Sequence, residues 1–158
     1  MPDLPDLLPV EPGYKNVLRA RLAFLWLVLA GGALIAARAL DDETPYAMWL
    51  PAAVLLVGFL VVTIAPGRIY RRLRYGLGER LLQVARGWLF HTDTVVPLVR
   101  VQHLDVVRGP FDKMFGTASL VLHTAGTHNS TVTVPGLAPD RAAAMRDIIR
   151  EHVRTDFA

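Results

Sequence analysis

Two stretches of this chain, 22–37 and 46–65, contain no charged side chain, and nothing else in the sequence restricts the fold so strongly. Arg38 can carry its guanidinium out to an interface, which extends the first run to 22–40. A helix needs about 20 residues to cross a hydrocarbon core of about 30 Å, and both runs reach or approach that length. The alternative is a pair of buried helices in a soluble bundle. Neither run has a polar face: Trp26, Leu27, Val28 and Leu29 are consecutive, as are Val54, Leu55, Leu56 and Val57. Such all-round apolarity favours two membrane spans. The connection 41–45 is short and acidic (Asp41, Asp42, Glu43), so the spans form a tight antiparallel hairpin.

Basic residues set the expected orientation. Lys15, Arg19 and Arg21 precede the first span, and Arg68, Arg71, Arg72 and Arg74 follow the second. Lys and Arg flanks stay on the cytoplasmic side, so both termini are expected in the cytoplasm, with 41–45 outside and the protein multi-pass in the inner membrane. Tyr46 and Trp49 fit an aromatic belt on the outer side, and Gly31, Gly32 and Gly58 suit close helix contact. A cleaved leader ending near Ala37, Arg38 and Ala39 is the competing reading of the first run, although Asp3, Asp6 and Glu11 are unusual before such a segment.

The high apolar content, 53%, is concentrated in these two runs. The remainder is basic: residues 66–158 carry thirteen Lys/Arg against eight Asp/Glu. A balance of this kind suits an anionic surface. Aromatic residues do not interleave with the arginines as a nucleic-acid stacking platform requires, so the lipid bilayer is the expected surface and nucleic acid is not an expected partner.

After residue 66 the pattern becomes that of short strands. Leu73, Tyr75 and Leu77 alternate with Arg72, Arg74 and Gly76, and further strands read over 80–89 (with Gly87 as a bulge or kink), 92–97, 101–107, 120–124 and 131–134. A helix follows Pro139 and Asp140, with Met145, Ile148, Ile149 and Val153 as its apolar stripe. One amphipathic helix after about six strands can close the open end of a partly open barrel or sandwich. The expected fold class is therefore membrane-anchored α+β: a cytoplasmic N-terminal tail 1–21, a transmembrane helical hairpin 22–65, and a mainly antiparallel β domain 66–158 of pleckstrin-homology type with a C-terminal capping helix.

Several short pieces carry a family resemblance: Val96, Pro97 and Leu98; Arg100, Val101 and Gln102; Gly109 and Pro110; Phe115 and Gly116; Thr124, Ala125 and Gly126; then Val134, Pro135, Gly136 and Leu137 before the last helix. With the order of segments, they make the chain resemble the bacterial pleckstrin-homology-like membrane proteins of the YdbS type over nearly its whole length. The resemblance implies a membrane-anchored cytoplasmic domain without assigned catalysis, an interaction module in character, and it supplies no ligand.

Residue chemistry points the same way. The chain has no cysteine, which removes disulfides, thiolate metal sites and a cysteine nucleophile. His91, His103, His123, His128 and His152 show neither metal-ligand pattern on a strand nor i,i+4 spacing on the last helix; only His123 and His128 flank a common loop, with no third ligand. Ser119 and Ser130 are the only serines and neither lies in a nucleophile elbow. Gly76, Leu77, Gly78 and Glu79 make a turn, with no phosphate-loop ending. No enzyme activity, cofactor, metal or small-molecule substrate is expected.

The segment 110–116 breaks the strands. Pro110 can begin a helical turn that puts Phe111, Met114 and Phe115 on one face, and Gly116 returns the chain to a strand. Pro110, Phe115 and Gly116 read as structural, with Phe115 plugging one edge of the barrel, while Phe111, Lys113 and Met114 form a candidate interaction surface. Two functions fit. One is an interaction or scaffold module that assembles with itself or another membrane protein. The other is an anionic-headgroup reader using Lys15, Arg19, Arg21, Arg68, Arg71, Arg72 and Arg74.

Overall fold

A helix covers the whole first apolar run and overruns both its ends; the second helix begins within the second run, at Trp49, and continues past its end. In the computed structural model, which describes residues 5–40, 47, 49–88, 90–125 and 131–156, α1 spans Gly13–Ala39 and α2 spans Trp49–Arg72. Lys15, Arg19 and Arg21 lie in α1, and Arg68, Arg71 and Arg72 lie in α2. Lys and Arg are good helix formers, so the helices continue past the apolar segments. The loop residues Asp41, Asp42, Glu43, Thr44 and Pro45, with Tyr46, lie outside the described residues, as do His128 and Ser130.

The chain divides into two units, and residues 15–67 make the first. A Cβ on Gly58 would come within 2.9 Å of the Trp26 ring, and one on Gly67 would lie 3.8 Å from Lys15 Cε. These two contacts register α1 and α2 as antiparallel neighbours. Gly31 and Gly32 have nothing within 4 Å of an added Cβ, so the close helix approach expected there falls to Gly58 alone among these three. The unit faces outward with its apolar side chains: Ile35, Phe59 and Phe24 are 74%, 66% and 62% exposed. Only 6% and 17% of the most apolar windows of α1 and α2 are buried, which is the inverse of a soluble core helix. Pro66 lies within α2. Close before it, the Thr63 hydroxyl donates to the carbonyls of Phe59 (2.9 Å) and Leu60 (3.0 Å), keeping a polar group satisfied inside an apolar helix.

The second unit combines residues 1–14 with 68–158. Its strands are β1 (Leu8–Pro9), β2 (Arg74–Leu77), β3 (Leu81–Arg86), β4 (Thr92–Pro97), β5 (Val101–Val107), β6 (Ala118–Thr124) and β7 (Thr131–Leu137); α3 (Pro110–Met114) joins β5 to β6, and α4 (Pro139–Asp156) ends the described chain. All pairings are antiparallel, in two sheets ordered β1-β2-β3-β4 and β5-β6-β7. The sheets form a sandwich and do not close into a barrel. Leu82 and Val84 from β3, Leu120 and Leu122 from β6, and Val134 and Leu137 from β7 are completely buried; burial alternates along β6, whereas β3 is buried continuously from Leu82 to Ala85. α4 covers this core with Ala142, Met145 and Ile149. The stripe is thus rotated from the one expected: Ile148 is 48% exposed and Ala142 takes a core place.

Residues 5–14 are not a tail. Leu8 pairs with Tyr75 and Pro9 with Arg74 on the edge of the first sheet, and the Glu11 N–H then donates to the Gly136 carbonyl (2.8 Å) on β7 of the second. Val10 and Tyr14 are buried where the segment crosses. This short segment clasps one edge of each sheet. β3 also ends sooner than its pattern suggests, at Arg86, because Gly87 turns the chain.

Candidate functional site

The insert between β5 and β6 is organised by a residue with no apolar role. Asp112 is 2% exposed. Its Oδ2 accepts from the Gly109 N–H (3.2 Å) and its Oδ1 from the Thr117 hydroxyl (2.9 Å), while its carbonyl accepts from the Thr117 N–H (2.8 Å). The carboxylate caps the start of α3, with Pro110 at the first helical position, and pins the exit strand as well. Gly116, at φ 66°, closes the turn. Phe115 is half-buried, not sealed in the core, and its carbonyl packs against Gly13. Phe111 is half-buried too, whereas Lys113 is exposed and Met114 is 72% exposed. Of the three proposed surface residues, Lys113 and Met114 are the ones presented to solvent. The Gly-Pro-x-Asp run followed by Thr117 was the readable signal for the cap.

A groove runs between β5 and α4. It encloses about 420 Å³ and is lined by Val101, Gln102, His103 and Leu104 on the strand and by Arg146, Arg150 and Val153 on the helix. β5 is an edge strand: it pairs with β6, and among the described residues no strand lies on its other side. The register places Val101 opposite Thr124 and His103 opposite His123, so Gln102 is the extra residue of a bulge. Alternate backbone N–H and C=O groups of such a strand point away from its partner and are available to another extended chain. Arg146 is held by Asp147 (Nη2 to Oδ1, 2.9 Å), and Arg150 lies one helical turn further along the same face. Neither arginine was singled out in the sequence, because i,i+4 basic residues on a terminal helix look like any solvated face.

A larger cavity, about 860 Å³, lies beside the β2–β3 turn, with Asp6, Glu79, Arg80, Tyr75 and Arg141 in its wall. Burial pushes the Tyr75 phenol above the usual tyrosine range, against the pull of Arg141. The Arg141 guanidinium sits 5.9 Å from the centre of the Tyr75 ring. The wall carries two carboxylates and two arginines, so its charges balance.

His103 and His123, opposite each other on β5 and β6, each place Nε2 against one oxygen of Asp105, at 3.0 and 3.5 Å. The carboxylate lies between the rings, whose centroids are 5.9 Å apart. Among the described residues no histidine–carboxylate group is arranged to hold a metal ion.

The basic residues fall at one end of the hairpin. Lys15 lies beside Gly67, and Arg68 is the next residue in the chain. Arg19, Arg21, Arg68, Arg71, Arg72 and Arg74 are exposed, the last of these on β2, and Lys15 is half-buried. The Arg72 Nη1 donates to the Trp88 carbonyl at 3.1 Å.

Two long apolar helices with outward-facing side chains, set between the first strand and the other six strands of an antiparallel sandwich that ends in a C-terminal helix, define a membrane-anchored module of pleckstrin-homology type. The chain belongs to the bacterial PH domain family, whose model matches residues 20–153. It is 35% identical over 103 residues to the UPF0699 transmembrane protein YdbS of Bacillus subtilis (strain 168), a match covering 65% of this chain and 63% of that relative. No solved structure is significantly similar to the chain. The protein is thus a membrane protein with transmembrane helices and a bacterial PH domain.

Proposed function

We propose that this protein is an interaction module of the inner membrane, holding its PH-like unit at the cytoplasmic face to dock an extended, carboxylate-bearing segment of a second protein or of another copy of itself. The observation that carries the reading is the unpaired edge of β5 beside a groove walled by Arg146 and Arg150. An extended segment that adds to a sheet edge gains main-chain hydrogen bonds, and flanking side chains then select it. Two arginines on one wall select acidic residues.

The topology has its own support. Residues 5–14 and 68–156 fold into one unit, which supports a reading in which both flanks of the hairpin share one aqueous compartment after an even number of crossings. Lys15, Arg19, Arg21, Arg68, Arg71, Arg72 and Arg74 support the cytoplasm as that compartment. The same residues attract anionic lipid, each by about 1 kcal/mol near the surface, which fits orientation better than headgroup selection. Lys113 and Met114 offer a smaller second contact edge.

Reversing the groove charge tests the reading. Wild-type protein extracted from its native membrane in mild detergent should retain its partner or self-assembly, and Arg146→Glu with Arg150→Glu should lose it at least tenfold, the loss of two exposed-to-partly-buried ion pairs being about 1.4 kcal/mol or more. Arg86→Glu, an exposed change at the end of β3, should have no such effect. Equal retention by both variants would rule the groove out.

A further inference from the structure

The loop between β3 and β4 displays two exposed large aromatic residues, Trp88 and Phe90. Phe90 is 83% exposed, more than any other large hydrophobic among the described residues, and Trp88 is 39% exposed. Isolated apolar residues on a surface are ordinary. These two are presented by a built turn. Gly87 has φ 157°, and a Cβ there would run into the Phe90 carbonyl, so the backbone of Phe90 stands against Gly87 while its ring is exposed. The loop is also tied down, since the Arg72 guanidinium donates to the Trp88 carbonyl at 3.1 Å.

That tie decides what the aromatics face. Arg72 follows Gly67, the end of the hairpin unit, by five residues. Five residues of chain span at most about 17 Å, however the two units are disposed. The Trp88 carbonyl is thus bonded to the last residue of α2, the helix whose earlier part is the second span. The end of α2 and the strands that follow carry Arg68, Arg71, Arg72, Arg74 and Arg86, all exposed. Tryptophan and phenylalanine with arginines beside them are the side chains that settle at the boundary between headgroups and acyl chains: the rings enter the apolar layer and the guanidinium groups meet phosphates.

We infer that the β3–β4 loop, through Trp88 and Phe90, inserts into the cytoplasmic headgroup layer of the bilayer that the hairpin spans, giving the PH-like unit a second membrane contact. This contact lies on a different loop from the β5–α4 groove and does not depend on the docking proposed there. It fixes how the unit is presented: a module held by its linkers alone would tumble, and one pinned by an aromatic loop would not.

The absence of native cysteine makes a direct test possible. A nitroxide attached to Phe90→Cys, in the full chain reconstituted into phosphatidylcholine–phosphatidylglycerol vesicles, reports its surroundings by its collision rates with oxygen, which partitions into lipid, and with a water-soluble nickel chelate. Thr131→Cys, an exposed position on β7, serves as the aqueous control. The Phe90 label should collide more often with oxygen and less often with nickel than the Thr131 label, and the difference should vanish in the full chain carrying Arg72→Ala together with Trp88→Ser. Nickel access equal to the control would overturn the inference. So would shielding from both reagents, which would mark the loop as a protein contact.

Discussion

Gly136→Ala should detach the N-terminal clasp and cost the PH-like unit about 3 kcal/mol, the sum of backbone strain and overpacking. Gly136 lies on β7 at φ 74°, a conformation that L side chains rarely adopt. An added Cβ would come within 2.6 Å of Tyr14 Cγ and 2.7 Å of its Cβ. The second contact matters for interpretation, because Tyr14→Ala removes the ring and leaves the Cβ. The double variant should therefore recover only part of the loss. Gly116→Ala is the comparison that separates the two causes: its φ of 66° carries similar strain, with nothing within 4 Å of the new Cβ. It should cost about 1 kcal/mol. Pulse proteolysis of the purified full chain in mild detergent reads both. Equal stability of the two variants would mean that residues 5–14 do not contribute to the fold as described.

Asp112→Ala should be nearly as damaging. It strips partners from the Gly109 N–H and from the hydroxyl of Thr117, which is completely buried. Leaving buried donors unsatisfied costs about 1–3 kcal/mol each, and bonds to a charged acceptor stand at the upper end. A loss of about 3 kcal/mol lowers the melting temperature of a unit of this size by roughly 10 °C or more. Asp112→Asn keeps an acceptor for one of the donors and should lose less. Met114→Ser, at an exposed site on the same insert, should melt with the wild type. A tolerated Asp112→Ala would show that α3 is held by its half-buried phenylalanines after all.

The parts of this architecture legible in the sequence are those written as repeated local patterns. Charge-free runs of span length mark α1 and α2, and the strand limits at 92–97 and 101–107 coincide with β4 and β5, with Pro97 ending the first and Gly109 and Pro110 following the second. Patterns that depend on pairing with distant chain are different. Leu8, Val10 and Tyr14 alternate only briefly among prolines, so nothing local distinguishes a clasp strand from a tail; its partners lie over 60 residues away on β2 and beyond that on β7. Cross-strand neighbours are equally hidden: His103 and His123 meet at Asp105 only through the β5–β6 register. The groove is legible last of all, because an edge strand is defined by the strand that is not there. Exposure of Phe90 likewise depends on the turn at Gly87, where an aromatic in a strand-like run reads as core.

The docking claim is tested most directly by placing a photo-reactive p-benzoylphenylalanine in place of Gln102, the bulged residue in the β5 groove, and irradiating living cells. The expected result is a discrete protein adduct, either a dimer of this chain or a single heavier species, that disappears when Arg146→Glu and Arg150→Glu are added. The same probe at Thr133, on β7, should give none. Adducts from Met114 with none from Gln102 would contradict the groove and move the interface to α3.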